Sequence, residues 1–237
     1  MYNDFLMKLT RSDSAFNALH ASLLNEATFQ SYKEENDSYD TAFFPRICGK
    51  FLVVTGNIVY GKKPSYRKFR AVEIIARVPY QSWNSAIFTL LTICFRNEER
   101  ALTLSKHARY AEYAQENETM HVVVISQLAK AEGNSGFVRH TLIPMFFSFF
   151  YFWISYFLYL IKPRWSYELN YLFETHAFSQ YNDFLNLYGD ELREKKVESS
   201  FLAWYGRHSD NQYDFFLSVR NDELIHRTVS LEEIHVR

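Results

Sequence analysis

Apolar residues recur at helical spacing along most of this chain, interrupted by short polar stretches and by proline and glycine. From Asp13 to Phe29 the apolar positions Phe16, Leu19, Leu23 and Leu24 predict an amphipathic helix, capped by Asp13 or Ser14. The polar stretch from Ser31 to Asp40 predicts a loop. Arg46 to Tyr60 is apolar, β-branched and broken by Gly49 and Gly56, so its periodicity fits helix or strand; its helical surroundings favour helix. Arg67 to Leu91 reads as helix with a kink at Pro79, because proline removes a backbone N–H and its ring clashes with the preceding turn. Ala101 to Ala131 predicts a long helix ended by Gly133 and Asn134. Further helices are predicted over Arg139 to Ile161, Trp165 to Tyr188, Phe201 to Tyr205 and Tyr213 to Val229. No repeat or low-complexity linker divides them. The predicted organisation is an N-terminal arm with a short helix over 1–45 and one helical domain over 46–237.

The polar residues inside these helices carry the chemistry. Glu73, then Glu118 with His121, then Glu174, then Glu223 with His226 fall on four separate predicted helices. Residues three apart share a helix face, so each Glu-x-x-His step presents an oxygen and a nitrogen to the same point. Glu, Glu-x-x-His, Glu, Glu-x-x-His on four inward-facing helices is the ligand set of a two-metal carboxylate bundle, which predicts an all-α, ferritin-like four-helix architecture. Each pair taken alone also fits a solvated pair of neighbours. The alternation of pairs with single glutamates in apolar surroundings favours metal. A third step, Glu232 with His235, is read as accidental at a fraying end. Four carboxylates balance the charge of two divalent cations, and so oxygen-rich a set suits iron or manganese better than a closed zinc site.

Composition narrows the setting. A net charge of -1 with 22% charged residues excludes a nucleic-acid surface, which needs clustered basic residues. Two cysteines, Cys48 and Cys94, are too few for a disulfide scaffold or zinc site and predict a reducing compartment. Met1 to Ser14 lacks the pattern of a signal or transit peptide. Aromatic residues make up 18% of the chain, and ten of them crowd between Phe146 and Tyr159. No charge occurs from Thr141 to Ile161, a length that can cross a bilayer. A crossing would put the helix of Glu118 and His121 on the opposite side from that of Glu174, and one metal site could not form. The segment is therefore read as the long crossover of a ferritin-like bundle. It lies in the membrane interface with Arg139, Lys162 and Arg164 at head-group level, a spanning helix being the alternative.

The remaining titratable residues are mostly structural in this reading. His20, His107, His140 and His208 lack a carboxylate at ligand spacing on a core-facing helix and are assigned to surface or interface. His176, two residues beyond Glu174, points to a different face, where it is either plain packing or a support behind the ligands. Tyr181, seven residues beyond Glu174, returns to the ligand-bearing face after two turns. It is either core packing or a relay for an electron and a proton.

These residues resemble the alternative oxidases, a family of membrane-bound di-iron quinol oxidases that includes the plastid terminal oxidases. The resemblance runs collinearly from Arg67 to Val229. Glu-Ile-Ile-Ala-Arg-Val-Pro from Glu73 to Pro79 is similar to the family's Leu-Glu-x-x-Ala-x-Val-Pro segment, and Glu116 to His121 to its Glu-Asn-Glu-Arg-Met-His. Ile161 to Arg164 is similar to Ile-Ser-Pro-Arg, and Arg220 to Arg227 to Arg-Ala-Asp-Glu-Ala-His-His-Arg. The resemblance implies two irons held by Glu73, Glu118, His121, Glu174, Glu223 and His226. It implies Asn117 and Asp222 as their supporting partners and Tyr181 as the catalytic tyrosine, with Trp204 near the site. Lys68, Val72, Ala76, Ala177 and Gln180 would line a quinol pocket. The implied reaction oxidises a quinol and reduces O2 to water. The implied protein is a homodimer, monotopic on a cytoplasmic or matrix-like membrane face. Rival readings are a membrane di-iron monooxygenase acting on a quinone or lipid, and a silent scaffold of the same fold. The chain departs from the family at Tyr80, a glycine there, at Tyr167, a histidine there, and at Thr175 and His176, where the family continues a run of glutamates.

Overall fold

The computed structural model describes residues 14–34, 39–133 and 136–236, and those residues are helical and free of strands apart from one isolated bridge between Lys196 and Asn211. Two short helices come first, α1 (Ser14–Ser22) and α2 (Glu26–Glu34). A single helix to Phe29 and a loop from Ser31 were expected. Instead Asn25 accepts a hydrogen bond from the Thr28 amide at 3.1 Å and restarts the helix. Asparagine favours this capping role over a helix interior because its side chain competes for nearby backbone groups. The polar run beyond Phe29 then stays helical to Glu34, aided by a Gln30 to Glu26 hydrogen bond one turn apart. Asp13, the Ser14 side chain, residues 35–38 and Asn134 lie outside the described part.

The segment that fitted helix or strand is helical, as α3 (Phe43–Tyr60). The expected break at Pro79 separates α4 (Tyr66–Ala76) from α5 (Val78–Ile93), with Pro79 in the first turn of α5, where its missing N–H costs nothing. The long helix α6 (Glu98–Ala131) starts on an Asn97 cap that accepts from the Arg100 amide at 2.9 Å, and Gly133 follows its end with φ of 118°. A π-helical turn over Val138–Leu142 leads into α7 (Ile143–Ile161). Then follow α8 (Pro163–Arg193), α9 (Ser200–Tyr205) and α10 (Gln212–Val236).

The helix α10 corrects the expectation of a fraying end after Val229. Ile234 is buried and Glu233 faces His107 of α6 across 2.9 Å, so the last turns pack into the bundle. His235 sets its ring edge-on to Tyr39. His107, with His20 and His140, is thus partly or fully enclosed rather than on the surface; His208 is exposed.

The bundle consists of α4, α6, α8 and α10, with α8 and α10 packed along their lengths. Two aromatic cores fill its two sides. One gathers Tyr80, Trp83, Tyr110, Tyr159 and Tyr167; the other gathers Phe69, Tyr181, Phe184, Phe215 and Phe216. Outside the bundle, α3 and α7 keep large apolar side chains uncovered. On α3 these are Phe43, Ile47, Phe51, Val54 and Ile58, one stripe at helical spacing; on α7 they include Phe146, Phe149, Phe150 and Phe157. Val138–Ile161 is long and apolar enough to cross a membrane, yet only 17% of its most apolar window is buried within the chain. Large apolar side chains left uncovered together in this way mark a surface that meets lipid or another protein.

Gly49 sets how closely α3 approaches α8. A Cβ there would lie 3.0 Å from Leu172 Cδ1 and 3.2 Å from its Cβ, whereas nothing lies within 4 Å at Gly56. Gly49→Val should push the helices apart and destabilise by about 1–3 kcal/mol, exceeding the small gain in helix propensity. Gly56→Ala should stabilise by about 0.5–1 kcal/mol. Thermal unfolding of the two variants checks the contrast; equal shifts would mean that Gly49 does not set the spacing.

Candidate metal centre

All six predicted ligands meet in the middle of the bundle, each at most 1% exposed. Their donor atoms form two overlapping groups, each with atoms within 4.8 Å of one another: Glu73, Glu118, His121 and Glu223 in one, Glu118, Glu174, Glu223 and His226 in the other. Glu118 and Glu223 belong to both. The arrangement therefore offers two adjacent cation positions with two shared carboxylates, and one further carboxylate and one imidazole to each.

Hydrogen bonding supports this division. Glu73 Oε2, both oxygens of Glu118, Glu174 Oε2, both oxygens of Glu223, His121 Nδ1 and His226 Nδ1 are buried without a hydrogen-bond partner. Several face one another closely: His121 Nδ1 lies 3.4 Å from each of Glu73, Glu118 and Glu223, and His226 Nδ1 lies 2.8 Å from Glu118. A buried polar atom without a partner is costly, and eight converging on one volume define donors aimed at cations. The residues fit a pair of divalent metals.

The atoms turned away from this volume are engaged. Tyr181 Oη donates to Glu73 Oε1, and Tyr80 Oη donates to Glu174 Oε1 at 2.7 Å. Asn170 donates to both Tyr80 Oη and Ser230 Oγ. His121 Nε2 lies 3.0 Å from Asp222 Oδ2, which also accepts from Asn117 at 3.2 Å. Arg207 grips Asp222 through both terminal nitrogens, one at 2.7 Å to Oδ1. Each such bond fixes a ligand's orientation before any ion arrives.

Electrostatics follow from burial and charge. Burial, with the Glu118 charge, pushes Glu73 up to about 8. Burial and neighbouring carboxylates also hold Glu174 and Glu223 above the usual range. Glu118 moves the other way: burial alone would raise it, but His121 and His226 hold it below its ordinary value. Burial would likewise raise Asp222, yet the Arg207 guanidinium keeps it well below and hence charged. Four mutually repelling carboxylates in a dry core need protons or cations, and two divalent ions match their charge.

The supporting residues are partly as expected. Asn117 and Asp222 stand behind His121, and Tyr181 is fully buried against Glu73. Lys68 and Val72 line an apolar cavity between α3, α4, α7 and α8, together with Leu52, Phe147, Phe173 and His176. Gln180 accepts from Lys68 Nζ at 2.7 Å. Ala76 and Ala177 are buried but do not line the cavity. Trp204 is corrected: it is 77% exposed on α9 against Phe201, and its neighbour Tyr205 is the α9 residue that turns inward, accepting from Asn117 at 3.3 Å. The short helix turns one of these adjacent rings in and the other out. Sequence reasoning missed Tyr80, Asn170, Tyr205 and Arg207 as parts of the site. Tyr80 alone had left a signal, as a bulky residue where the family has glycine.

Fold and site together define a helical bundle whose buried carboxylates and imidazoles could hold a pair of metal ions. Within that class, the chain belongs to the alternative oxidase family, whose model matches residues 29–232. It is also similar to "Ubiquinol oxidase 4, chloroplastic/chromoplastic" of Arabidopsis thaliana, at 32% identity over 141 residues, 60% of this chain. The matched region spans 37% of that relative's length.

Because Glu118 and Glu223 serve both positions, Glu118→Ala should empty both, whereas His226→Ala should weaken chiefly one. Metal analysis after anaerobic ferrous loading should give about two ions per chain for the parent protein, near none for Glu118→Ala and an intermediate value for His226→Ala. Full occupancy in Glu118→Ala would remove it from the ligand set.

Proposed function

We propose that this chain is a membrane-bound quinol oxidase that holds two irons, takes electrons from a quinol and reduces O2 to water. The observation that carries the reading is an apolar cavity whose wall is built in part by α4 and α8, the helices that also carry Glu73 and Glu174. It is an apolar cleft with an open mouth, lined by Leu52, Lys68, Val72, Phe147, Phe173 and His176. Its wall includes Val72 and Phe173, which adjoin Glu73 and Glu174 in the chain. A quinol head bound there would stand next to two metal ligands, with its apolar tail toward α3 and α7. The relative's name as a ubiquinol oxidase supports the same substrate class.

The bound iron pair would supply the redox capacity and the Lewis acidity for O2 reduction. The chain's own residues orient and insulate. Lys68, 2% exposed, is held by Asn57 Oδ1, the Lys62 carbonyl and Gln180 Oε1, and burial lowers its pKa. With its three N–H bonds engaged, it sets a fixed positive charge at the cavity wall rather than a free donor. Tyr181 holds its phenolic proton on Glu73, and burial pushes that phenol well above its ordinary pKa, so it arrives at the centre with a proton to give. Phe69 stacks on its ring at 4.2 Å and excludes water.

The uncovered stripes of α3 and α7 support a protein lying on the bilayer surface, apolar side chains in lipid. Quinol then reaches the cavity without leaving the membrane.

The reading is tested by quinol-dependent O2 uptake in membranes containing the protein. Tyr181→Phe keeps the ring and its packing while removing the proton, so it should retain iron and fold but lose quinol oxidation by about two orders of magnitude or more. Near-normal uptake in that variant would remove the phenol from the chemistry. For topology, single cysteines introduced at Glu132 and Glu194, after Cys48 and Cys94 are replaced, should label from one side of the membrane. Labelling from opposite sides would make α7 a spanning helix and dismantle the monotopic arrangement.

A further inference from the structure

The ligand set leaves one concentration of chemistry unused, on the Glu174 side. Tyr80 is fully buried on α5 and presents its edge to Trp83, with ring centroids 5.1 Å apart. Trp83 lies 4.6 Å from Tyr167 and 6.2 Å from Tyr159. Those two tyrosines approach each other with hydroxyls 3.5 Å apart. All four are at most 1% exposed, and Tyr159 belongs to α7, the apolar outer helix.

The Glu73 side is built on the same plan with different rings. Tyr181 donates to Glu73 as Tyr80 donates to Glu174, and in both glutamates the other oxygen is the one aimed at the cation volume. Around Tyr181, however, stand Phe69 at 4.2 Å and Phe216 at 6.1 Å, with Phe184 behind Phe69. Phenylalanine is far harder to oxidise than tyrosine or tryptophan. An oxidising equivalent on Tyr181 is confined, whereas one on Tyr80 has oxidisable rings in contact all the way to α7.

We propose that Tyr80 is a second redox-active phenol, and that Tyr80, Trp83, Tyr167 and Tyr159 form a relay carrying one-electron oxidising equivalents from the metal centre to α7. The proposal rests on the reading that the centre holds iron and reacts with O2. Tyr80 gives one electron to the oxidised iron pair while its proton passes along the 2.7 Å bond to Glu174 Oε1. Trp83 then returns an electron to the phenoxyl, and the proton comes back from Glu174. The indole is left one electron short, its Nε1–H held by Ser166 Oγ at 2.7 Å. Tyr167 refills it with an electron while its proton passes to the Tyr159 oxygen and the Tyr159 proton moves on to water at the α7 surface. A hydrogen atom then crosses the same 3.5 Å contact from Tyr159 to the Tyr167 phenoxyl, leaving Tyr159 as the last phenoxyl. An electron from a reductant of the ascorbate class at the α7 surface, with a proton from water, restores the last phenol. Each passage lowers the iron pair by one oxidising equivalent when no quinol is bound, and so protects the ligands.

The test uses the full chain loaded with ferrous iron and exposed to O2 without quinol. Freeze-quenched samples are read by electron paramagnetic resonance, and oxidised side chains are mapped by peptide mass spectrometry. The parent protein should show oxidation at Trp83 and Tyr167. Tyr80→Phe should hold iron, keep the Tyr181 phenoxyl signal and lose oxidation at both downstream rings. Trp83→Phe, which touches no ligand, should lengthen the phenoxyl lifetime severalfold and protect Tyr167. Undiminished oxidation of Trp83 and Tyr167 in Tyr80→Phe, or an unchanged lifetime in Trp83→Phe, overturns the relay. Quinol-dependent O2 uptake is measured on the same preparations. Uptake without downstream oxidation rejects the relay alone, and downstream oxidation without uptake keeps the relay and rejects the quinol.

Discussion

Everything in this bundle is arranged around the repulsion of four carboxylates enclosed with two imidazoles in a space that water does not reach. Such a cluster folds only if each charge is neutralised or held, and the chain does both. One oxygen each of Glu73 and Glu174 is tied by a buried phenol, while Asp222 and Arg207 lock the His121 ring from behind. The oxygens left over point inward. The aromatic cores on either side then do what an apolar core does elsewhere, and they also keep the effective dielectric low, which makes the inward charges demand cations more strongly.

The convergence of the six candidate ligands was legible from sequence because helical geometry converts spacing into direction. Glu118 with His121 and Glu223 with His226 must share faces, and single glutamates on two further helices complete the set. The break at Pro79 followed from proline's missing donor in the same way. Residues recruited across the fold were not legible. Arg207 reaches Asp222 from the connection between α9 and α10, and Asn170 reaches Tyr80 from another helix. No local period encodes those meetings. The Trp204 expectation failed because adjacent residues of one short helix point apart, and motif alignment does not resolve which ring turns inward. The continuation of α2 to Glu34 and of α10 to Val236 was hidden for a related reason: polar residues look like loop until their partners are known.

The two outer helices link the centre to its setting. The crossover α7 is required by topology to connect α6 with α8 along the bundle, and its length follows from the distance to be covered. Its composition answers to what lies outside. The same helix that carries exposed Phe146 and Phe150 carries buried Tyr151 and Tyr159 on its inner side. With α3 it frames the apolar cavity, whose lining includes Val72 and Phe173, the chain neighbours of Glu73 and Glu174.

Trp83 has a consequence for how this molecule can be watched. It is 1% exposed inside the bundle, whereas Trp153 and Trp204 are 43% and 77% exposed on α7 and α9. An indole in a dry aromatic core emits at shorter wavelength than one in contact with solvent. The intrinsic fluorescence therefore combines a blue component from Trp83 in the packed bundle with a redder one from exposed Trp204, while Trp153 on α7 and half-buried Trp165 report what covers the outer face. Assembly of the helices around the centre can then be timed apart from the settling of the outer ones, with no label added.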